Sequence, residues 1–340
     1  MSSHATPRGR SSTHPQNFEV SFGINLIYCH PNPFSVIEVK HLRKAYGNVL
    51  ALDDVSFEVE EGEAFAFLGP NGAGKTTTIR ILMGFVYPDL GYAKIFGKDV
   101  FRHGKEIRKR VGYLPEEMGF YDQLSAYENL NFYARLFGIP KRERENRIEE
   151  LLERVGLLER KNSPVREFSH GMKQRLGIAQ SLINNPDLLI YDEPTTGLDP
   201  RSSYEIRELI KEFVKEGKTL FLSSHLLYEV QQICKTVAII DKGKIVIKDE
   251  IKNLSRMISG KGIRVTIRCL NLSEDLADRV KKVKGVKKVS VDGDNLIAMV
   301  KDEETIANVV SSMVKAGGKI TSVTRESPGL EEIFLKLTGD

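Results

Sequence analysis

The sequence has no tryptophan, three cysteines in 340 residues and no long apolar run. Cys29, Cys234 and Cys269 are scattered and odd in number, which argues against a disulfide framework and suits a reducing cytosol. Cys234 reads as a small buried hydrophobe, and Cys29-His30 lacks the second ligand pair that a zinc site needs. The apolar stretch from Val20 to Cys29 is broken by Ser21, Gly23 and Asn25. It is far shorter than the ~20 residues of a membrane span, and it lacks the pattern of a signal peptide. Nothing in the chain is therefore expected to cross a bilayer. Neither sign of charge prevails, with 50 basic and 46 acidic residues for a formal +4, and no dense basic stripe stands out, so no nucleic-acid partner is expected. The length allows two domains, each with its own core.

What is present begins with Gly69-Pro70-Asn71-Gly72-Ala73-Gly74-Lys75-Thr76-Thr77, which fits G-x-x-x-x-G-K-[ST] at every required position. Glycines let a backbone wrap closely around a polyphosphate, so that N–H groups and the following helix N-terminus face negative charge. Lys75 then reaches the β- and γ-phosphates and the Thr76 hydroxyl ligates Mg²⁺. The flanks agree, since Glu63 to Leu68 reads as a buried strand and Thr76 to Met83 as a helix. A dinucleotide motif starting at Gly72 would need glycine where Thr77 stands.

Residues 1 to about 35 lack periodicity and are expected to be a disordered extension. Val36 to Lys40 and Ala51 to Val59 read as antiparallel strands, with Tyr46-Gly47 in the loop between them. Tyr46 serves either as a ring stacked on a purine or as a half-buried packing residue. Val111 to Glu117 is a strand end entering a polar loop, Ser125 to Glu128 a capping box, and Ile148 to Val155 part of an amphipathic helix ended by Gly156. Ser169 caps a helix whose first turn carries no acid, leaving an N-terminus open to an anion, although an ordinary Ser-capped helix reads the same way. Leu188 to Glu193 is an apolar strand ending in two carboxylates that strand alternation points in different directions. Asp192 is then the Mg²⁺ holder, and Glu193 accepts a proton from, or orients, the attacking water. Asp199-Pro200 opens another helix, and His225 follows the strand Thr219 to Ser223 either as a site residue or as a surface histidine. Val237 to Ile247 reads as a hairpin and 248–262 as a linker. Beyond it the order strand, helix, strand, strand, helix, strand is a ferredoxin-like pattern, followed by a last helix around Leu330 to Leu337.

Together these motifs, from about Val36 to Ile247, resemble the ATP-binding-cassette family. The resemblance implies an α/β P-loop NTPase cassette at 36–255, with a RecA-like core, an antiparallel β subdomain and an α-helical subdomain at about 120–185. A small ferredoxin-like α+β domain at 262–340 would follow. Tyr46 then matches the aromatic that stacks on adenine, and Phe168 to Met172 the signature L-S-G-G-Q. Asp199 matches the aspartate loop and His225 the switch histidine that contacts the γ-phosphate. The signature keeps Ser169 and Gly171 but has His170 and Met172 for the first glycine and the glutamine, a form similar to exporter ATPases of the drug and antibiotic resistance type. Glu116 stands where the family usually has glutamine, and is expected to ligate Mg²⁺ with an added charge. What the resemblance implies is an ATPase subunit with ATP and Mg²⁺, working as a homodimer or beside a homologous cassette. It would lie peripherally on the cytoplasmic face of the membrane, on a separate permease subunit. A soluble cassette acting on ribosomes or DNA is the alternative, disfavoured by the single cassette, the missing coiled coil and the balanced charge.

Overall fold

The computed structural model describes residues 35–254 and 262–326. The expected N-terminal extension, the Cys29-His30 pair and the last helix around Leu330 lie outside the described residues.

The first sheet starts with β1 (Ser35–Tyr46) paired antiparallel with β2 (Val49–Glu60). β1 runs six residues past the stretch that alternation marked, and the reason is local. His41 has φ 52, a register shift falls between Val39 and Leu42, and the Ser56 hydroxyl accepts the His41 N–H. A bulge interrupts the alternation while the strand continues. β3 (Ala64–Leu68), buried at every position, leads through the glycine-rich loop into α1 (Lys75–Leu82). β4 (Leu90–Ile95) and β5 (Lys98–Asp99) complete the antiparallel sheet in the order β2-β1-β4-β5. Then come α2 (Gly104–Arg108), β6 (Val111–Leu114) and three helices: α3 (Ala126–Leu136), α4 (Lys141–Arg154) and α5 (His170–Ser181). The Ser125–Glu128 capping box forms in both directions, and Gly156, at φ 67, follows the end of α4.

β7 (Leu188–Asp192), α6 (Pro200–Lys215), β8 (Thr219–Ser224), α7 (Leu227–Ile233), β9 (Thr236–Asp241) and β10 (Lys244–Glu250) build the central sheet. Its order is β10-β9-β3-β8-β7-β6, parallel throughout except for the β9–β10 hairpin. Parallel strands share a carboxyl edge, so the ends of β3, β8, β7 and β6 open on one crevice. Its two faces carry different cores. One packs α3 to α7, around Leu176, Ile178, Tyr191, Ile210 and Phe213. The other packs the antiparallel sheet, where Phe57, Phe65, Phe67 and Phe221 stack with centroids 5.3 to 5.8 Å apart. The reading of 248–262 as linker is corrected for its first part, because β10 extends to Glu250 and residues 251–254 are helical. Ile251 and Leu254 pack into the first core, so burial holds this stretch in regular structure.

The third sheet is built from β11 (Ile263–Cys269), α8 (Glu274–Lys281), β12 (Val286–Asp292), β13 (Asn295–Val300), α9 (Glu303–Lys315) and β14 (Ile320–Glu326). Its order β12-β13-β11-β14, antiparallel throughout, is the ferredoxin-like arrangement. It encloses a core of its own, from Val265 and Ile267 to Val309 and Met313.

Candidate active site

At the carboxyl edge of β3 the chain wraps into a loop that only glycine tolerates. Gly74 has φ +111, and a Cβ there would lie 2.6 Å from the Ala51 carbonyl oxygen; Gly69 is packed against the Ile240 carbonyl, 2.3 Å from where its Cβ would be. Gly72 also has positive φ but faces open space, the room a ligand requires. The loop borders a cavity of about 340 Å³ lined by Val49 and Ala51 of β2, Asn71, Gly72, Gly74 to Thr77, Glu116 and Glu193. A larger cavity of about 680 Å³ lies at the opposite end of β3, lined by Glu60, Glu61, Glu63 and Glu250 against Lys235 and Lys252. Its acidic lining repels a polyphosphate, so size does not decide where the nucleotide goes.

Lys75 is buried and folded onto its own loop. Its Nζ donates to the carbonyls of Gly69, at 2.8 Å, and Pro70, at 3.2 Å, and lies 3.2 Å from Glu193 Oε1. That carboxylate oxygen is buried and accepts no hydrogen bond. The other, Oε2, meets His225 Nδ1 at 2.8 Å and accepts from the Thr196 hydroxyl at 3.0 Å. Glu193 does not continue the strand, as alternation had suggested. Its φ is +51, its N–H is shared between the carbonyl and hydroxyl of Ser223, and the turn swings its side chain back over Lys75.

Asp192, the last residue of β7, is buried. Burial raises its pKa above the ordinary carboxylate value, the Ser223 and Thr76 hydroxyls oppose that shift by hydrogen bonding, Glu193 adds to it and Lys75 opposes it. Ser223 donates to Asp192 Oδ1 at 2.5 Å. It is a site residue that sequence reasoning passed over: a serine ending an apolar strand was visible, but the register that sets it opposite Asp192 belongs to the fold. Among the described residues no three His, Cys, Asp or Glu converge as a metal cluster. The Thr76 hydroxyl beside the Asp192 carboxylate nevertheless fits Mg²⁺, which takes oxygen ligands and keeps most of its coordination for phosphates and water. Glu116 lines the same cavity from the exposed loop after β6.

The remaining sequence candidates fall elsewhere. Tyr46 is 45% exposed at the end of β1, opposite Val49, which lines the cavity. Ser169 caps α5 by accepting the Met172 N–H, and Asp199 caps α6 by accepting the Arg201 and Ser202 N–H groups. These two caps are neighbours: a Cβ on Gly171 would lie 2.9 Å from the Ser202 hydroxyl, and His170 Nε2 is 3.3 Å from the Thr196 carbonyl. Ser169 and Asp199 are exposed, and neither lines the phosphate-loop cavity. Within one chain the two caps therefore lie outside the cavity that the phosphate loop borders.

The loop, the paired carboxylates and the parallel sheet define a P-loop nucleoside triphosphatase. Residues 52–196 match the family described as ABC transporter, and residues 249–338 match the C-terminal domain of DrrA1-3-like ATP-binding proteins. The chain is 38% identical over 309 residues to the bacitracin transport ATP-binding protein BcrA of Bacillus licheniformis, covering 90% of this chain and 98% of that one. It is 35% identical over 307 residues to the daunorubicin resistance ATP-binding protein DrrA3 of Streptomyces coeruleorubidus, covering 90% and 96%. A solved ATP-binding subunit of an ABC transporter superposes with a TM-score of 0.60 at 33% identity, covering 66% of this chain and 93% of that one. A dimeric cassette in a post-hydrolysis state with ADP and Pi gives 0.59 at 25%, covering 63% and 98%. The chain belongs to the ABC transporter family and is an ATP-binding, ATP-hydrolysing subunit of that kind. No helix among the described residues is long and apolar enough to cross a membrane, and the role of a transporter ATP-binding subunit implies a membrane partner.

Proposed function

We propose that two copies of this chain, or one copy with a homologous cassette, close on two ATP molecules and drive export through separate permease subunits on the cytoplasmic face of the membrane. The observation that carries the reading is the buried Glu193 Oε1 at the mouth of the phosphate loop, ion-paired with Lys75 but accepting no hydrogen bond. Once Lys75 turns to a phosphate, this oxygen loses its one charged neighbour and is placed to take a proton from water. His225 and Thr196 fix the other oxygen, so the free one keeps its direction. Gly69 to Thr77 cradle the phosphates, and Lys75 exchanges its loop carbonyls for phosphate oxygens. Thr76 and Asp192 hold Mg²⁺, with Glu116 as a further ligand at the cavity rim. The ion neutralises charge that develops on the phosphates. Tyr46 stacks on the base from the end of β1. Ser169, Gly171 and Met172 at the α5 N-terminus, together with Asp199, serve the nucleotide held by the partner copy, which agrees with the exposure of Ser169 and Asp199 and with the position of all four outside the cavity lining.

One of the named relatives is a bacitracin transport protein and the other a daunorubicin resistance protein, which supports an antibiotic cargo. In light scattering with ATP and Mg²⁺, Glu193→Gln should trap a dimer and nearly abolish phosphate release, and adding Ser169→Arg should return it to monomer. Retained turnover in Glu193→Gln, or a trapped dimer that ignores Ser169→Arg, would overturn the two-copy site. Co-purification with a membrane subunit, rather than with ribosomes or DNA, tests the transport half of the reading.

A further inference from the structure

Behind Glu193 lies a charged pair that the chemistry described so far does not use. Arg207, on α6, and Glu229, on α7, meet at 3.1 Å with side chains 11% and 8% exposed. The other oxygen of Glu229 accepts the hydroxyl of Thr195, which is itself buried. The Arg207 guanidinium also lies over the Tyr228 ring, 5.6 Å from its centroid. Two charges taken out of water are expensive, and an apolar pair of similar volume commonly serves stability as well. The pair is therefore poorly explained as an anchor between two helices.

Its third member shows what it fixes. Thr195 sits in the turn that starts at Glu193: the Thr196 N–H returns to the Glu193 carbonyl, and the Leu198 N–H to that of Thr195. The Thr196 hydroxyl holds Glu193 Oε2, and Glu193 has the left-handed φ of +51 that aims its side chain at Lys75. A turn of this conformation needs support from outside itself. Glu229 gives that support from a helix that begins two residues after His225, and Arg207 gives it from the helix that Asp199 caps.

We propose that Glu229, held by Arg207 and bonded to Thr195, is a positioning residue for Glu193. It sets the turn whose Thr196 hydroxyl orients the carboxylate, and it ties that turn to the helices that follow His225 and Asp199. This rests on the reading of Glu193 as the group that activates water.

The test uses the full chain, with steady-state phosphate release, calorimetric nucleotide binding and thermal melting measured on each variant. Thr195→Val is isosteric, removes only the hydroxyl and leaves the Arg207–Glu229 pair in place. It should lower kcat on the order of 10-fold or more, with KM for ATP and nucleotide affinity within about twofold, because displacement of a reacting group weakens the chemical step more than binding. Thr195→Ser should restore kcat, and Glu229→Gln should fall in the same direction as Thr195→Val. Should Glu229→Gln fail to fold, Thr195→Val and Thr195→Ser decide alone. A lowered Tm with full kcat in Thr195→Val would make the contact structural and overturn the proposal. Glu193→Gln in the same assay separates the two levels. If it keeps turnover, the role of Glu193 falls and the proposal with it. If it loses turnover while Thr195→Val keeps it, the positioning role alone falls.

Discussion

The contact between Lys75 and Glu193 makes nucleotide binding an exchange, and its size can be worked from the geometry. At 3.2 Å, and with the effective dielectric of about 20 that suits protein sites, the attraction is about 5 kcal/mol. Desolvation of two nearly buried groups takes back a large share, which leaves a net value of roughly 2 kcal/mol for the nucleotide-free chain. A nucleotide that recruits Lys75 to its phosphates must first break this contact. Glu193→Gln removes the competing charge while Lys75 keeps the Gly69 and Pro70 carbonyls as resting partners. The substitution should therefore tighten binding of a non-hydrolysable ATP analogue by about 2 kcal/mol, or roughly 30-fold. The assay is calorimetry at protein concentrations low enough to keep the chain monomeric, so that dimer closure adds nothing. Affinity within twofold of the parent chain, or weaker, would refute the exchange and mean that Lys75 is equally available with or without Glu193.

Three further outcomes follow from the same site. Asp192 has a folded pKa raised chiefly by burial, so its ionised form opposes folding at neutral pH, and the penalty fades as pH falls through that raised value. Asp192→Asn should accordingly raise the Tm of the nucleotide-free chain at pH 7, with a smaller gain under acid conditions, while metal-dependent turnover is lost; an unchanged or lowered Tm at pH 7 would count against it. Glu116→Gln should weaken the Mg²⁺ dependence of turnover, read as a higher Mg²⁺ concentration at half-maximal rate, and an unchanged curve would remove Glu116 from the metal site. Gly74→Ala forces a Cβ against the Ala51 carbonyl at a φ of +111 and should cost about 2 kcal/mol or more in chemical denaturation, together with nucleotide binding.

The features legible in the sequence are those whose physics is local. The phosphate loop, the Ser125, Ser169 and Asp199 caps and the β9–β10 hairpin each depend on residues within a few positions of one another, and each stands where its residue types place it. The ferredoxin-like sheet was equally plain because β11 and β13 alternate cleanly between buried and open faces. What escaped depends on contacts between distant segments. Nothing near Glu193 announces that it leaves the strand, because its turn is held by Ser223, 30 residues away, and by Glu229 through Thr195. The β1 bulge at His41 hid half a strand, since one extra residue shifts the alternation by which strands are read. The 248–254 segment looked like linker because its polar residues outnumber the two, Ile251 and Leu254, that anchor it.

The left-handed backbone at position 193 narrows what the chain can accept there. Asn, Asp and Gly enter that conformation with least strain, whereas a longer side chain such as Glu gives up on the order of 1 to 2 kcal/mol. Glycine would relax the turn and remove the acid, and aspartate would keep the acid but stop one methylene short of both Lys75 and His225. A library randomised at this codon should therefore divide in two: selection for folded yield would enrich Gly and Asn, and selection for ATP turnover would return Glu alone. If Glu193 activates water as proposed, conformational comfort and chemistry select different residues at this one position.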